Sequence, residues 1–356
     1  MKDILHLKNI YYSKKYGFMF PYETKDVKLY IKKYKIEKNI IYNSVIESPL
    51  IVVDTIHSCF VHGIIDSIFP LHWMIQDIKE DDYTKKHFRL FVREDDILNY
   101  SEQNMKHIEE EKSIYKGVYG ELMNLCTEKV ILFEHLIKED TVYLIKDCYF
   151  SKLITKNQRS VWNSVKYYPN RCKEDPIFED IVVQRRLNLF SNDVLNYYGL
   201  EKNDGTFKKR IIIVDRNTKY RSFKHTMVNP KNPNENATSL LDILNNILLK
   251  STWMNYNGIV YLEDLSMKEQ METFLNNDII ITPHGANMVH SLWCNKKIIV
   301  EVLFEPEKKC MYKRMVQFTN NKLAQISPYQ IDQFLKMLLM RFKPKQEDTI
   351  EISCVS

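Results

Sequence analysis

Glycine is scarce in this chain, 8 of 356 residues. That excludes collagen-like and glycine-rich architectures and leaves few loops able to wrap a phosphate. No window approaches the ~18 consecutive apolar residues of a membrane-spanning helix, so no transmembrane segment is expected. The opening stretch, MKDILHLKNIYYSKKYGFMF, carries charge throughout and lacks an apolar run of signal-peptide length. Seven cysteines (59, 126, 148, 172, 294, 310 and 354) are odd in number and scattered, with no C-x-x-C. They form neither a disulfide framework nor a zinc pattern. The chain as it stands reads as soluble, cytoplasmic and made in a reducing compartment. Several catalytic signatures are also missing: G-x-G-x-x-G, the P-loop, G-x-S-x-G and H-E-x-x-H. D-x-D, a carboxylate pair that holds a metal-bound diphosphate, does not occur either. Charge of one sign is not in excess: Lys+Arg 51 against Asp+Glu 46 leaves +5. The basic clusters Lys32-Lys33 and Lys208–Arg210 have no interleaved aromatics, so nucleic acid is not an expected partner.

What is present is a globular composition: 44% hydrophobic, 27% charged and 12% aromatic, with 22 Tyr and 17 Phe. Disordered chains lack such aromatics. At roughly 100–200 residues per domain, two domains are expected. The strongest turn signal, Asn203-Asp204-Gly205-Thr206, places their boundary, giving domains 1–203 and 204–356. In the first, residues before 45 form an irregular or β-rich lead-in. Strands are expected at 50–56, 88–92, 130–136 and 142–145. Helices are expected at 62–78, bent or broken by Pro70, and at 97–126 and 178–198. The second half is cleaner. Apolar strands at 210–214, 258–262, 279–282 and 298–303 alternate with helices at 240–249, 267–276, 286–293 and 331–342. Ser266 and Glu269 form a capping box for the second of these helices. Such alternation specifies a parallel, doubly wound α/β sheet.

Ligands of such sheets bind outside the carboxyl ends of the strands. The polar groups there are Arg216 and Arg221 after the first strand and Glu263-Asp264 after the second. His284-Gly285-Ala286-Asn287 follows the third, and Glu301 lies near the end of the fourth. Gly285 and Ala286 carry almost no side chain, so an anion such as a diphosphate can reach the N–H groups of the helix start, with His284 donating to it. The alternative is a plain strand-to-helix turn with a satisfied histidine. Arginine offers a planar fork to phosphate, although two surface arginines would look the same. Glu301, within IIVEV, faces a ligand such as ribose hydroxyls or is the buried partner of a nearby base. In the first half, His62 and Asp66 lie one helical turn apart. A carboxylate beside an imidazole can act as general base; ordinary helix-surface residues are the alternative, and two ligands do not make a metal site.

Residues 262–304, LEDLSMKEQMETFLNNDIIITPHGANMVHSLWCNKKIIVEVLF, resemble the C-terminal core of the family 61 glycosyltransferases. Asp215–Arg221 (DRNTKYR) looks like that family's Arg-x4-Arg, and Phe60–Leu71 (FVHGIIDSIFPL) like its His-x3-Asp helix. The family includes transferases that modify EGF domains and dystroglycan, and plant xylosyltransferases. The resemblance implies a GT-B fold, two Rossmann-like domains facing a central cleft, with the final helix packing back on the first domain. It implies an inverting, metal-independent enzyme that needs no cofactor. The donor would be a nucleotide sugar, usually a UDP-sugar (xylose or N-acetylglucosamine type), and the acceptor a glycan or glycoprotein hydroxyl. Carried over by position, Arg216, Arg221, His284, Gly285, Ala286 and Asn287 would hold the diphosphate, and Glu301 and Glu263 the nucleoside. Asp66, with His62 beside it, would be the base on the acceptor side. Two departures stand out. Asn287 replaces the family's usual second glycine, and there is no membrane anchor, as in a bacterial or large-DNA-virus enzyme or an anchorless form of a secretory-pathway one. A non-catalytic carbohydrate- or protein-binding module on a degenerate GT-B fold ranks second, because the donor-site residues are all present.

Overall fold

A computed structural model of the chain describes residues 4–22, 27, 34–53, 63–81, 88–92, 121–122, 125, 138–151, 180–202, 206–219, 221–228, 237–305 and 312–344. The strands and helices expected at 97–126 and 130–136 lie outside these residues or nearly so. By its own contacts the chain divides into two units: Met1–Glu201 with Tyr312–Phe318, and Lys202–Met311 with Thr319–Ser356.

The first unit is built on a mixed sheet. Its strands are β1 (Ile4–Ser13), β2 (Gly17–Phe20), β3 (Tyr34–Ile36), β4 (Ser44–Ile46), β5 (Leu50–Val53), β6 (Arg89–Val92) and β7 (Tyr143–Ser151). The order is β3-β2-β1-β7-β5-β6, with β4 also on β7. β1 runs antiparallel to β7, whereas β4, β5 and β6 are parallel to their partners. The irregular lead-in thus holds a ten-residue strand next to the middle of the sheet. Its pattern is disguised: the buried positions Leu7 and Ile10 are three apart, because Asn9 between them sits at φ 53° and breaks the period-two pleat. Phe18, Phe20, Leu50, Ile145 and Phe150 pack with Leu7 and Ile10 into the core.

After β5 comes a π-helical turn, Gly63–Ile68, which runs directly into α1 (Phe69–Asp81). Proline has no N–H to donate and crowds the carbonyl four residues back. Pro70 therefore sits in the first turn of α1, and the turn before it is the wide one. α1 packs on α2 (Asp180–Tyr197) through the Phe69 and Phe190 rings, 5.5 Å apart. His72 Nε2 lies 2.8 Å from Asp193 Oδ2, and Arg186 pairs with Asp77 and Glu80. The short helix α5 (Lys313–Phe318) belongs to this unit, where Gln184 Nε2 donates to Phe318 O at 3.1 Å.

The second unit contains β8 (Arg210–Asp215), the small pair β9 (Met227–Val228) and β10 (Thr238–Ser239), then β11 (Asn255–Tyr261), β12 (Ile279–Pro283), β13 (Ile298–Val302) and β14 (Lys322–Ile326). Its helices are α3 (Leu240–Leu249), α4 (Met267–Asn276) and α6 (Ile331–Met340). The five-stranded sheet is parallel throughout, in the order β11-β8-β12-β13-β14. Ile211, Ile213, Ile279, Ile281, Val300 and Val302 line one face, against Leu244, Leu248, Leu335 and Leu339 of α3 and α6. The alternate residues, Ile212, Ile280, Thr282, Ile299 and Glu301, point to the opposite face. β14 was not marked by the sequence, since KLAQI has one β-branched residue and no alternation. The final helix α6 packs on α3 inside this unit, with Trp253 Nε1 donating to Leu339 O at 3.1 Å.

The strand order locates the site. From β8 the chain goes to one side, to β11, and then crosses back to β12 on the other. Crossovers of opposite direction put their helices on opposite faces, so the loops after β8 and β12 separate and leave a crevice between them.

Candidate functional site

The crevice is lined by two loops. β8 ends in Asp215, which is buried and accepts three hydrogen bonds from the loop that follows. Phe223 N donates at 2.7 Å, Lys224 N at 3.1 Å and Ser222 Oγ at 3.2 Å. These bonds fold the chain after Asp215 back over the sheet edge, with Arg221 at φ 54° near the end of the reversal. Arg216 is thereby aimed across the crevice. Its Nη1 lies 3.4 Å from the point that a Cβ on Gly285 would occupy. The side chain is only 12% exposed, and it faces Glu263, with Nε 3.9 Å from Oε1. Arg216 Nε and Glu263 Oε2 are both buried without a hydrogen-bond partner among the described residues. Burial pushes the Glu263 carboxyl above its ordinary range, partly offset by Arg216. An underused guanidinium in low dielectric is a strong anion receptor.

Gly285 has extended backbone, φ 163° and ψ −164°, which any residue adopts. A Cβ there would meet Arg216 Nη1 at 3.4 Å and Asn287 Oδ1 at 3.5 Å, ordinary contact distances. The backbone does not demand glycine; what glycine leaves is an open notch over the guanidinium. Asn287 closes its other side and is tied back by its Nδ2, which donates to Thr282 Oγ1 at 2.9 Å. The helix after Gly285 differs from the expected one. It is a seven-residue 3₁₀ helix, Ala286–Leu292, tighter and with poorer bond geometry than an α-helix, so its dipole adds less to the notch than the arginine does.

Behind the notch, His284 is buried, with Nδ1 2.6 Å from Glu301 Oε1. Glu301 has no exposed surface, and its Oε2 accepts from Gln325 Nε2 at 2.6 Å. The register aligns Thr282, Glu301 and Gln325 across β12, β13 and β14. A carboxylate between an imidazole and an amide fixes the ring's orientation and puts Nε2 forward. Arg221 is engaged by Glu305, with its Nε donating to Oε1 at 2.9 Å and its Nη2 to the same oxygen. Asn217 Nδ2 donates to both Asp264 oxygens, at 2.9 and 3.0 Å, joining the loops after β8 and β11.

Arg216, Glu263, His284, Gly285, Asn287 and Glu301 are thus brought together, with Arg221 nearby on its own carboxylate. Two contributors, Glu305 and Gln325, escaped the sequence reading, and Asp215 was given no role of its own in it. Asp215 stands as the polar end of an apolar strand, which could have marked it. Glu305 and Gln325 carry no local signal, because their partners lie 84 and 24 residues away. In the first unit, His62 lies outside the described residues. Asp66 is in the π-helical turn, and its side chain is likewise outside what the structure describes. Among the described residues no group of three or more His, Cys, Asp or Glu side chains could hold a metal ion, and no helix is long and apolar enough to cross a membrane.

A family model described as Glycosyltransferase 61 matches residues 5–300 of the chain, reaching from β1 into β13. No curated protein matches it.

Proposed function

The chain belongs to the glycosyltransferase 61 family and is a glycosyltransferase, with a sugar donor and an acceptor, and from that premise we propose that it transfers a sugar from a UDP-sugar to a glycan or glycoprotein hydroxyl with inversion and without a metal ion. The observation that carries this reading is the Arg216 guanidinium, nearly buried and facing an open notch at Gly285. A diphosphate would lie at that notch: Arg216 would take its charge, and His284 would donate to an oxygen from the side. Glu301 would act on the donor by holding His284, with Glu263 at the nucleoside end. Arg221 would join the phosphates by exchanging Glu305 for them.

In the transfer, the acceptor oxygen attacks C1 of the sugar as the bond from C1 to the diphosphate oxygen breaks on the opposite face. The leaving diphosphate carries away the electron pair, and its growing charge is met by fixed donors, a preorganised electrostatic effect. The acceptor proton passes to a base, a step worth roughly 10²–10⁴-fold. Asp66, with His62 beside it, is proposed for that role, on a GT-B fold. The π-helical turn at Gly63–Ile68 supports it, because such turns recur at functional sites.

Calorimetric titration with UDP and UDP-sugars, with and without EDTA, tests the donor reading. Binding that survives EDTA is expected. Absence of binding to any nucleoside diphosphate would defeat the donor assignment, and binding abolished by EDTA would defeat its metal-independence.

A further inference from the structure

Three carboxyl groups stand at the carboxyl ends of β8 and β11, and two of them are held by donors. Asp215 accepts from Phe223 N, Lys224 N and Ser222 Oγ. Asp264 accepts from Asn217 Nδ2 with both oxygens. Glu263, on the 3₁₀ turn Leu262–Asp264, differs. Its Oε2 is buried, and no donor among the described residues reaches it. Its Oε1 lies 3.9 Å from Arg216 Nε, beyond hydrogen-bond distance, and that Nε is buried without a partner as well. Opposite charges placed this close without a bond leave hydrogen-bonding capacity unused on both sides, and buried polar groups rarely go unused.

The other groups around Glu263 do not complete it. Asp215 and Asp264 add negative charge to that of Glu263, with Arg216 as the cation facing it. Tyr261 on β11 is neutral, its hydroxyl held above its ordinary range by burial and by the two aspartates. From α4 comes the amide of Gln270, whose Nε2 is taken by Leu262 O and Leu265 O at 2.9 Å.

The Arg216 guanidinium has two edges in use. Nε turns to Glu263, and Nη1 turns to the Gly285 notch. On the donor reading above, on which this inference rests, a diphosphate at the notch lies one guanidinium away from Glu263. It brings a multiply charged anion towards a carboxylate that already has two acidic neighbours. Like charges sheltered from water cannot all persist, and the group that gives way is the one most easily protonated. Glu263 is that group: burial, with Asp264 and Asp215 adding to it, already holds it above the ordinary carboxylate range. Once protonated, its O–H is a donor, which is what an anion needs, and Arg216 no longer divides its charge between two partners.

We propose that Glu263 takes up a proton from solvent when the donor binds and, as a neutral carboxyl beside Arg216, donates it to an oxygen of the phosphate nearest the nucleoside. No bond of the ligand is made or broken in this step. Glu263 is then a specificity determinant, favouring an anionic oxygen at that place over a hydroxyl.

Calorimetric titration of the full chain with UDP at pH 7.5, in buffers of different ionisation enthalpy, counts the protons. The parent should take up more protons per UDP than Glu263→Gln or Glu263→Ala, by up to about one. Protons that UDP itself gains or loses are common to all three chains and cancel. The bound carboxyl keeps its proton to higher pH than the free one. Parent affinity should therefore be full below the free carboxyl's range. As pH rises above that range it should fall by up to about tenfold per unit, until the bound carboxyl ionises too. Both variants should lose that part of the slope. Glu263→Gln, whose amide donates without a proton, should bind UDP at pH 7.5 at least as tightly as the parent. Glu263→Ala, with no donor, should bind about tenfold more weakly than Glu263→Gln. Equal proton uptake by parent and variants would overturn the proposal. So would a Glu263→Gln chain that melts like the parent but binds about tenfold more weakly, since Glu263 would then act as an ionised acceptor. Either result would leave the donor reading standing, whereas a parent that binds no UDP would remove that reading and this proposal with it. The proton count needs only one of the two variants to fold.

Discussion

Arg216 owes its place to its neighbours. Asp215 anchors the loop on one side of it, and Gly285 leaves it uncovered on the other. Two substitutions separate these roles. Arg216→Ala should leave the melting temperature nearly unchanged, since few bonds are lost. UDP affinity should fall about tenfold to a hundredfold, matching the roughly 1.5–3 kcal/mol of a hydrogen bond to a charged group. Gly285→Ala suits the extended backbone and should be neutral or slightly stabilising. It should still weaken UDP, because its methyl occupies the notch. If calorimetry shows Gly285→Ala binding UDP as the parent does, the notch is not where the diphosphate lies. Gln325 answers a different question. Gln325→Leu removes the donor to Glu301 Oε2 and leaves a fully buried carboxylate oxygen without it, at a cost of about 1–3 kcal/mol. Both the thermal midpoint and the UDP affinity should drop, the second through a misaligned His284. A lower midpoint with unchanged affinity would reduce Gln325 to a purely structural partner.

At the scale of elements, the 3₁₀ helix Ala286–Leu292 is held by what it buries against α4. His290 lies with its ring centroid 5.2 Å from that of Phe274, and burial drives its pKa down from 6.5 to about 3. Its folded pKa is depressed below the unfolded one, so the unfolded chain takes the proton first. The stability this packing contributes is present above pH 6.5 and is lost as pH falls from there towards about 3. The loss approaches about 1.4 kcal/mol per pH unit inside the window. His290→Phe should flatten that part of the acid limb, read as the difference between parent and variant in urea midpoints at pH 7.5 and pH 5. Parallel acid limbs would mean that His290 takes up its proton in the native state as readily as in the unfolded chain. The capping box of α4 was readable from Ser266 and Glu269 alone, because a cap is settled within four residues. The length of β1 was not, since the turn of the pleat at Asn9 hides it from any period-two search.

For the whole molecule, the units are not two beads on one string. The chain passes between them at Glu201–Lys202 and again on either side of Tyr312–Phe318, within the connection from β13 to β14. The proposed base, Asp66, belongs to the first of these units. Asp66→Asn keeps size and most hydrogen bonding but removes basicity. Turnover should fall by about 10²-fold or more, while UDP binding and melting temperature stay as they were. A variant that melts early yet transfers at the normal rate while folded would make Asp66 a structural residue of the π-helical turn.

The amino-acid sequence by itself determined four strands of the second unit, β8, β11, β12 and β13, and the chemistry after them. Runs such as RIIIV, IIIT and IIVEV are buried on both faces of a parallel sheet, and the polar residues that follow them have to emerge at its carboxyl edge. Such signals are local, settled by side chains within a few residues of one another. Tertiary structure alone decided which of those loops meet. Placing β8 between β11 and β12 brings Arg216 to Gly285, 69 positions along the chain, and setting β14 against β13 brings Gln325 to Glu301. Strand order follows from covering both faces of the sheet at once, a condition on the whole chain that no short stretch of sequence can carry.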